Sequence, residues 1–92
     1  METEILNEVF EVILDRKRNP KKESYVSRLL AEGRAGDKVL EEAEELVKAA
    51  REEGREEVIH EAADLIFHTM VLIAERDIHL KDIMEELRRR RR

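Results

Sequence analysis

Cysteine is absent from the 92 residues, which excludes disulfides and thiolate metal sites and fits a reducing compartment. A cytoplasmic protein is therefore expected. Aromatic residues make up only 3% of the chain and tryptophan is missing. No apolar run is long enough to span a bilayer, because charge interrupts each one, and no secretory leader pattern is present. Neither a membrane location nor a membrane partner is expected. The net charge of -5 argues against general affinity for nucleic acid. The closing run Arg88 to Arg92 is a local exception, read as a solvated tail that complements the dipole of a last helix.

Charge and helical periodicity are what the sequence has in quantity. Charged residues reach 45%, a composition that alone would suggest disorder. Apolar residues recurring three and four apart override that reading. Thr3 to about Arg18 carries Ile5, Leu6, Val9, Phe10, Val12 and Ile13 at helical spacing, and Asn19-Pro20 ends the segment. Ser24 is placed to cap a short helix that stops at Gly33, and Gly36 with Asp37 offers a turn and a second cap. A break at Asp77 to His79 precedes a last helix with Leu80, Ile83, Met84 and Leu87 on its apolar side. No strand candidate, repeat or linker emerges. The expectation is one all-α domain over residues 1–92, a bundle of about five helices around a central antiparallel pair.

That pair spans Asp37 to Ala74. Its first helix is apolar at Val39, Ala43, Leu46 and Ala50. The second, VIHEAADLIFHTMVLIA, is apolar around nearly its whole circumference and has to be buried. So short a chain cannot surround such a helix, so the core is expected to be completed by homodimerisation or higher self-association. Glu42 and Glu45 on the first helix, and Glu61 and Asp64 on the second, are each three residues apart and share a face. On a helical wheel Glu42 falls inside the apolar arc, with Glu45 at its margin and Glu44 outside. Glu61, Asp64 and His68 form a polar stripe about 60° wide. Counted from Gly54, between the helices, Glu45 and Glu42 lie roughly 13 to 18 Å along one helix and Glu61 and Asp64 roughly 10 to 15 Å along the other. The four carboxylates can meet.

At about 6 Å and an effective dielectric near 20, each pair of such charges repels by about 3 kcal/mol. The cluster must take up protons, pair with cations or bind a metal. Oxygen ligands favour a hard cation, Mg²⁺ with Mn²⁺ as a substitute, leaving positions open for water and phosphate. The plainer alternative is a solvated helix face. Lys38 could equally pair with Glu42 at i,i+4. His68 reads as a core histidine bonded to a carboxylate, and His60 and His79 read as peripheral.

The segments SYVSRLLAEG, KVLEEAEELVKAA and EAADLIFHTMVLIAER together resemble the phosphoribosyl-ATP pyrophosphohydrolases, all-α nucleotide pyrophosphohydrolases related to the MazG-like proteins. The likeness runs from about Asn7 to Leu87. The EExxE and ExxD pattern is common to the whole superfamily, whereas SYxxxLLxEG and EAADLxxH point to the histidine-biosynthesis branch. The resemblance implies Mg²⁺-dependent hydrolysis of phosphoribosyl-ATP to phosphoribosyl-AMP and pyrophosphate by a homodimer. It implies Glu42, Glu45, Glu61 and Asp64 as metal ligands. Glu41 becomes an outer or second-metal carboxylate that helps orient the attacking water, and Lys38 a phosphate contact. Ser24, Tyr25 and Arg28 would lie near the nucleotide. This chain departs from the pattern in a shorter Gly33 to Lys38 segment, in Leu40 where Gly is expected and in Phe67 where Tyr is common. Some family chains are fused to a zinc-dependent cyclohydrolase, for which this one has neither the length nor the cysteines. Two other readings stay open: a MazG-type enzyme acting on nucleoside triphosphates or dUTP, and a non-catalytic helical dimerisation module.

Overall fold

The computed structural model describes residues 3–91, and every regular element among them is a helix. In chain order these are α1 (Glu4–Arg18), α2 (Tyr25–Glu32), α3 (Ala35–Glu52), α4 (Arg55–Glu75) and α5 (Leu80–Arg90). α1 stops at Arg18, where Asn19 leaves helical dihedrals ahead of Pro20. Ser24 caps α2, its Oγ accepting the Ser27 amide at 3.2 Å. Gly33 closes that helix in the left-handed region at φ 65°. Its N–H donates to the Leu30 carbonyl and that of Arg34 to the Leu29 carbonyl, the paired bonds of a Schellman close.

α3 begins earlier than the sequence suggests. Its N-cap is Arg34, so Gly36 and Asp37 sit in the first turn instead of forming a turn and a cap. The Schellman close delivers the chain directly into the next helix, and the fully buried Ala35 anchors that start in the core. Asp37 instead complements the positive end of the helix dipole.

Glu53 and Gly54 join α3 to α4, and the two helices form an antiparallel hairpin with the most extensive contact in the molecule. The Gly54 N–H donates to the Glu57 carboxylate at 3.1 Å, satisfying one amide at the start of α4. α1 packs across α4 and α2. The core, made of Phe10, Ile13, Val26, Leu29, Ala35, Met70, Val71, Ala74 and Leu80, lies where these helices meet the C-terminal part of α4. The other half of the hairpin extends beyond it. Ile59 and Ile66 on α4 are therefore half exposed in the single chain, although periodicity calls for their burial. The radius of gyration, 14.1 Å, exceeds the roughly 12 Å of a compact chain of this length.

Lys17 fastens the end of α4 to α1. Its Nζ donates to the Ala74 carbonyl at 2.7 Å and also to the Asp77 carboxylate, where the chain turns with a positive φ of 60°. His79, expected at the periphery, caps α5: Nδ1 accepts the Lys81 amide at 3.1 Å, and the ring meets Phe10 edge-on at 5.0 Å. The last turn of α5 carries Arg88, Arg89 and Arg90, paired with Glu85 and Glu86. Arg92 lies outside the described residues. No helix among the described residues is long and apolar enough to cross a membrane.

Candidate active site

Glu42 is a carboxylate on the packed side of α3, only 8% exposed. A charge buried to that degree needs a partner. Lys38, one turn earlier, supplies it: Nζ lies 3.6 Å from Glu42 and 3.1 Å from Glu41. The ammonium is held above its ordinary pKa, first by the hydrogen bond to Glu41, with Tyr25, Glu41 and Glu42 adding to the effect and burial opposing it.

Across the hairpin stands Glu61. Burial pushes its carboxyl above the usual range, and the negative charges of Glu42 and Asp64 and a hydrogen bond with Glu42 add to the shift. Nearby His60 acts in the opposite direction. Negative charge from both helices thus crowds one side of the hairpin and opposes ionisation of Glu61. One turn on, the Asp64 Oδ2 lies 3.3 Å from His60 Nε2. His60, Glu61 and Asp64 each offer one ligand atom, all within 4.8 Å of one another.

The hairpin thus brings Glu42, Glu61 and Asp64 together. The group of closely spaced ligand atoms lies on α4 and includes neither Glu42 nor Glu45, and Glu45, one turn along α3 from Glu42, is exposed. Glu41 is exposed and engaged with Lys38. His60, peripheral by its place in the sequence, instead joins the acidic group. Its i,i+4 spacing to Asp64 was the available signal.

Ser24 caps α2. The next residue, Tyr25, is 40% exposed, and its hydroxyl lies 2.7 Å from His68 Nε2. His68 is buried, as expected of a core histidine, but its partners are the Asp64 backbone carbonyl at 2.7 Å and the Tyr25 hydroxyl, not a carboxylate. The helical geometry explains the difference: the Asp64 carbonyl stands one turn below His68, within reach of Nδ1. Tyr25 and Arg28 line a cleft of about 260 Å³ with Leu29, Glu32 and Arg34. Arg34, which the sequence did not single out, stands 3.3 Å from Glu32.

Two carboxylates and one imidazole of α4, with the charge of Glu42 near Glu61 from α3, form a donor set suited to a divalent cation. Such an ion would offset the like-charge crowding that raises the Glu61 carboxyl. Beside this group lie the Lys38 ammonium, a phenol and an arginine-lined cleft, which suit a phosphorylated ligand.

Residues 6–91 match the family model described as phosphoribosyl-ATP pyrophosphohydrolase. Proteins named phosphoribosyl-ATP pyrophosphatase are similar along almost the whole chain. That of Geotalea daltonii is 49% identical over 98% of this chain and 87% of its own length. That of Methanocella arvoryzae is 47% identical over 97% of this chain and 98% of its own. That of Methanococcoides burtonii is 46% identical, with 95% and 92% covered. Because the match runs from α1 to α5 and takes in both arms of the carboxylate hairpin, the chain belongs to the phosphoribosyl-ATP pyrophosphohydrolase family.

Proposed function

We propose that this chain, as a single domain acting in the cytoplasm, hydrolyses phosphoribosyl-ATP to phosphoribosyl-AMP and pyrophosphate, the second step of histidine biosynthesis. The observation that carries the reading is the group of closely spaced ligand atoms on His60, Glu61 and Asp64, with the charge of Glu42 near Glu61 across the hairpin, in a member of this family. Glu42, Glu61 and Asp64 would hold Mg²⁺, or Mn²⁺ in its stead, with Glu45 of the family pattern as the fourth ligand. When bound, the ion neutralises charge on the phosphate oxygens and acidifies the attacking water.

The chain's own groups do the rest. Lys38 meets the phosphate chain with a fixed positive charge, which its carboxylate partners keep protonated. Glu41, exposed and beside Lys38, accepts the proton that water loses as its oxygen bonds to phosphorus and the anhydride bond breaks toward pyrophosphate. Arg28 and Tyr25 line the cleft for the nucleotide, and Ser24 fixes the start of the helix that carries them.

The working form is a homodimer or a higher assembly of this chain. An apolar trough of about 420 Å³ between α1 and α4, lined among others by Ile5, Ile66, Phe67 and Met70, includes Asp64 on its wall. A second copy covering that trough would bury apolar surface and exclude water from the edge of the acidic group.

Pyrophosphate release from phosphoribosyl-ATP, with Mg²⁺ and again after EDTA, tests the proposal. Mg²⁺-dependent release is the expected result. Turnover of deoxynucleoside triphosphates or dUTP without phosphoribosyl-ATP would replace it with the MazG-type activity. No turnover and no Mg²⁺-dependent stabilisation would leave a non-catalytic dimerisation module.

A further inference from the structure

Among the described residues the buried polar side chains are Ser27, Glu42 and His68. Ser27 serves the backbone, its Oγ accepting the Lys21 amide at 3.0 Å, and Glu42 belongs to the acidic group. His68 has no part in the chemistry derived above, yet its hydrogen bonds fix the state of a residue that does. Its Nδ1 lies 2.7 Å from the Asp64 carbonyl oxygen. A carbonyl only accepts, so Nδ1 carries the hydrogen. In the neutral ring Nε2 is then a lone pair, and the Tyr25 hydroxyl 2.7 Å away donates to it. The ring is held on two sides, meeting Tyr25 edge-on at 5.7 Å and Phe67 edge-on at 5.3 Å.

A phenol has one hydrogen, and here it is directed into the core. The oxygen keeps only its lone pairs for any other partner, and Tyr25 is one of the residues that line the cleft. The neighbouring cations, Arg28 and Arg34 in the cleft and Lys38 at the acidic group, already provide donors for phosphate oxygens. An acceptor among them suits the other half of a nucleotide's chemistry, its sugar hydroxyls and amino groups.

We propose that His68 is a positioning residue: from inside the core it holds the Tyr25 hydroxyl as an acceptor-only edge of the cleft, which selects a hydroxyl or amino donor on the substrate and not a phosphate oxygen. The inference rests on the hydrolase reading for its substrate. The geometry of the Tyr25–His68–Asp64 chain does not depend on it.

Three variants of the full chain test the role. His68→Asn keeps an amide that can donate to the Asp64 carbonyl but is too short to reach Tyr25. His68→Gln offers an amide oxygen near the position of Nε2. Tyr25→Phe removes the hydroxyl from a partly exposed ring. Tyr25→Phe and His68→Asn should each raise KM for phosphoribosyl-ATP about three- to tenfold with kcat nearly unchanged, the loss of one hydrogen bond made equally in ground and transition states. Their combination should do no more than either alone, and His68→Gln should recover most of the loss. Inhibition by inorganic pyrophosphate, which presents acceptor oxygens, should be unaffected in all three.

A second readout needs neither substrate nor metal. Tyr25 is the only tyrosine and the chain has no tryptophan, so near-ultraviolet absorbance at wavelengths beyond the phenylalanine bands reports this phenol alone. His68→Asn should shift the band and His68→Gln should leave it in place. The proposal fails if Tyr25→Phe leaves KM unchanged, if pyrophosphate inhibition weakens in parallel, or if His68→Asn leaves the tyrosine band unmoved. A wild-type protein that does not hydrolyse phosphoribosyl-ATP overturns the hydrolase reading instead, and the absorbance comparison then decides the His68–Tyr25 link. Should both His68 variants fail to fold, Tyr25→Phe decides.

Discussion

Glu61→Gln keeps the shape of the side chain while removing a negative charge from beside Glu42 and Asp64. Activity with Mg²⁺ should fall by at least about a hundredfold, since loss of even an outer-shell partner to a metal ligand typically costs 10- to 100-fold. Without metal, the variant should melt no lower than the wild type, because the substitution relieves like-charge crowding. Mg²⁺ should raise the melting temperature of the wild type and not of the variant, because an ion stabilises only the state that binds it. Melting curves with and without Mg²⁺, beside an activity assay, check all three; collapse of the variant's fold would mark Glu61 as structural. The burial of Glu42 was legible from its position inside an apolar arc, because angle on a helix decides exposure. Glu45 shows the limit of that geometry. Helical wheels assign a face, whereas the rotamer and the tilt of the partner helix decide whether a side chain at the margin reaches across. The Tyr25–His68 bond joins residues 43 positions apart and left no trace in any local spacing.

At the scale of the helices, the termini were the most legible features, because caps depend on chemistry within a few residues. Ser24, Gly33 and Asn19-Pro20 stop or start helices as the residue types suggest. The start of α3 was not legible, since it depends on the burial of Ala35 in a core assembled from distant segments. Gly33 offers a clean test: its φ is 65°, and a Cβ there would meet nothing within 4 Å. Gly33→Ala should therefore cost only backbone strain, about 1 kcal/mol. In a domain of this size that corresponds to a drop of roughly 4 to 8 °C in melting temperature, and Gly33→Asn should lose less. The α4–α5 turn gives a second test, through pH. Lys17 holds the Asp77 carboxyl below its ordinary value, first by the hydrogen bond and then by its charge. A depressed folded pKa contributes stability above the unfolded value, near 3.8, and loses it as pH falls through the folded one. Asp77→Asn should melt modestly below the wild type at pH 7, and the gap should close as pH falls below about 4. A gap that persists at acid pH would assign the effect to the turn's shape and not to the ion pair.

The molecule as a whole leaves apolar surface in pairs seven residues apart: Ile5 and Val12 on α1, Leu40 and Val47 on α3, Ile59 and Ile66 on α4. Seven residues are close to two turns, so each pair forms a stripe along one side of its helix. Scattered exposed aliphatics need no explanation, but stripes on three helices of one short chain call for a covering surface. The extended shape agrees, since part of the hairpin lies outside the core cluster of the described residues. Ile66 is the most telling position, because it lines the same trough as Ile5 and Asp64. On the dimer reading, covering its exposed half contributes a share of the roughly 1.5–3 kcal/mol that full burial of such a side chain supplies, and a charge there would reverse the sign. Ile66→Glu should therefore sediment as a monomer at concentrations where the wild type sediments as a dimer. Because Asp64 shares the trough, the monomer should also bind Mg²⁺ more weakly, its acidic group being open to water on that side. Leu40→Glu, on the other arm of the hairpin, separates the possibilities. Dissociation by Ile66→Glu alone puts the interface on the α1–α4 side, dissociation by both spreads it across the hairpin, and a wild-type protein that sediments as a monomer at micromolar concentration removes the self-associated form altogether.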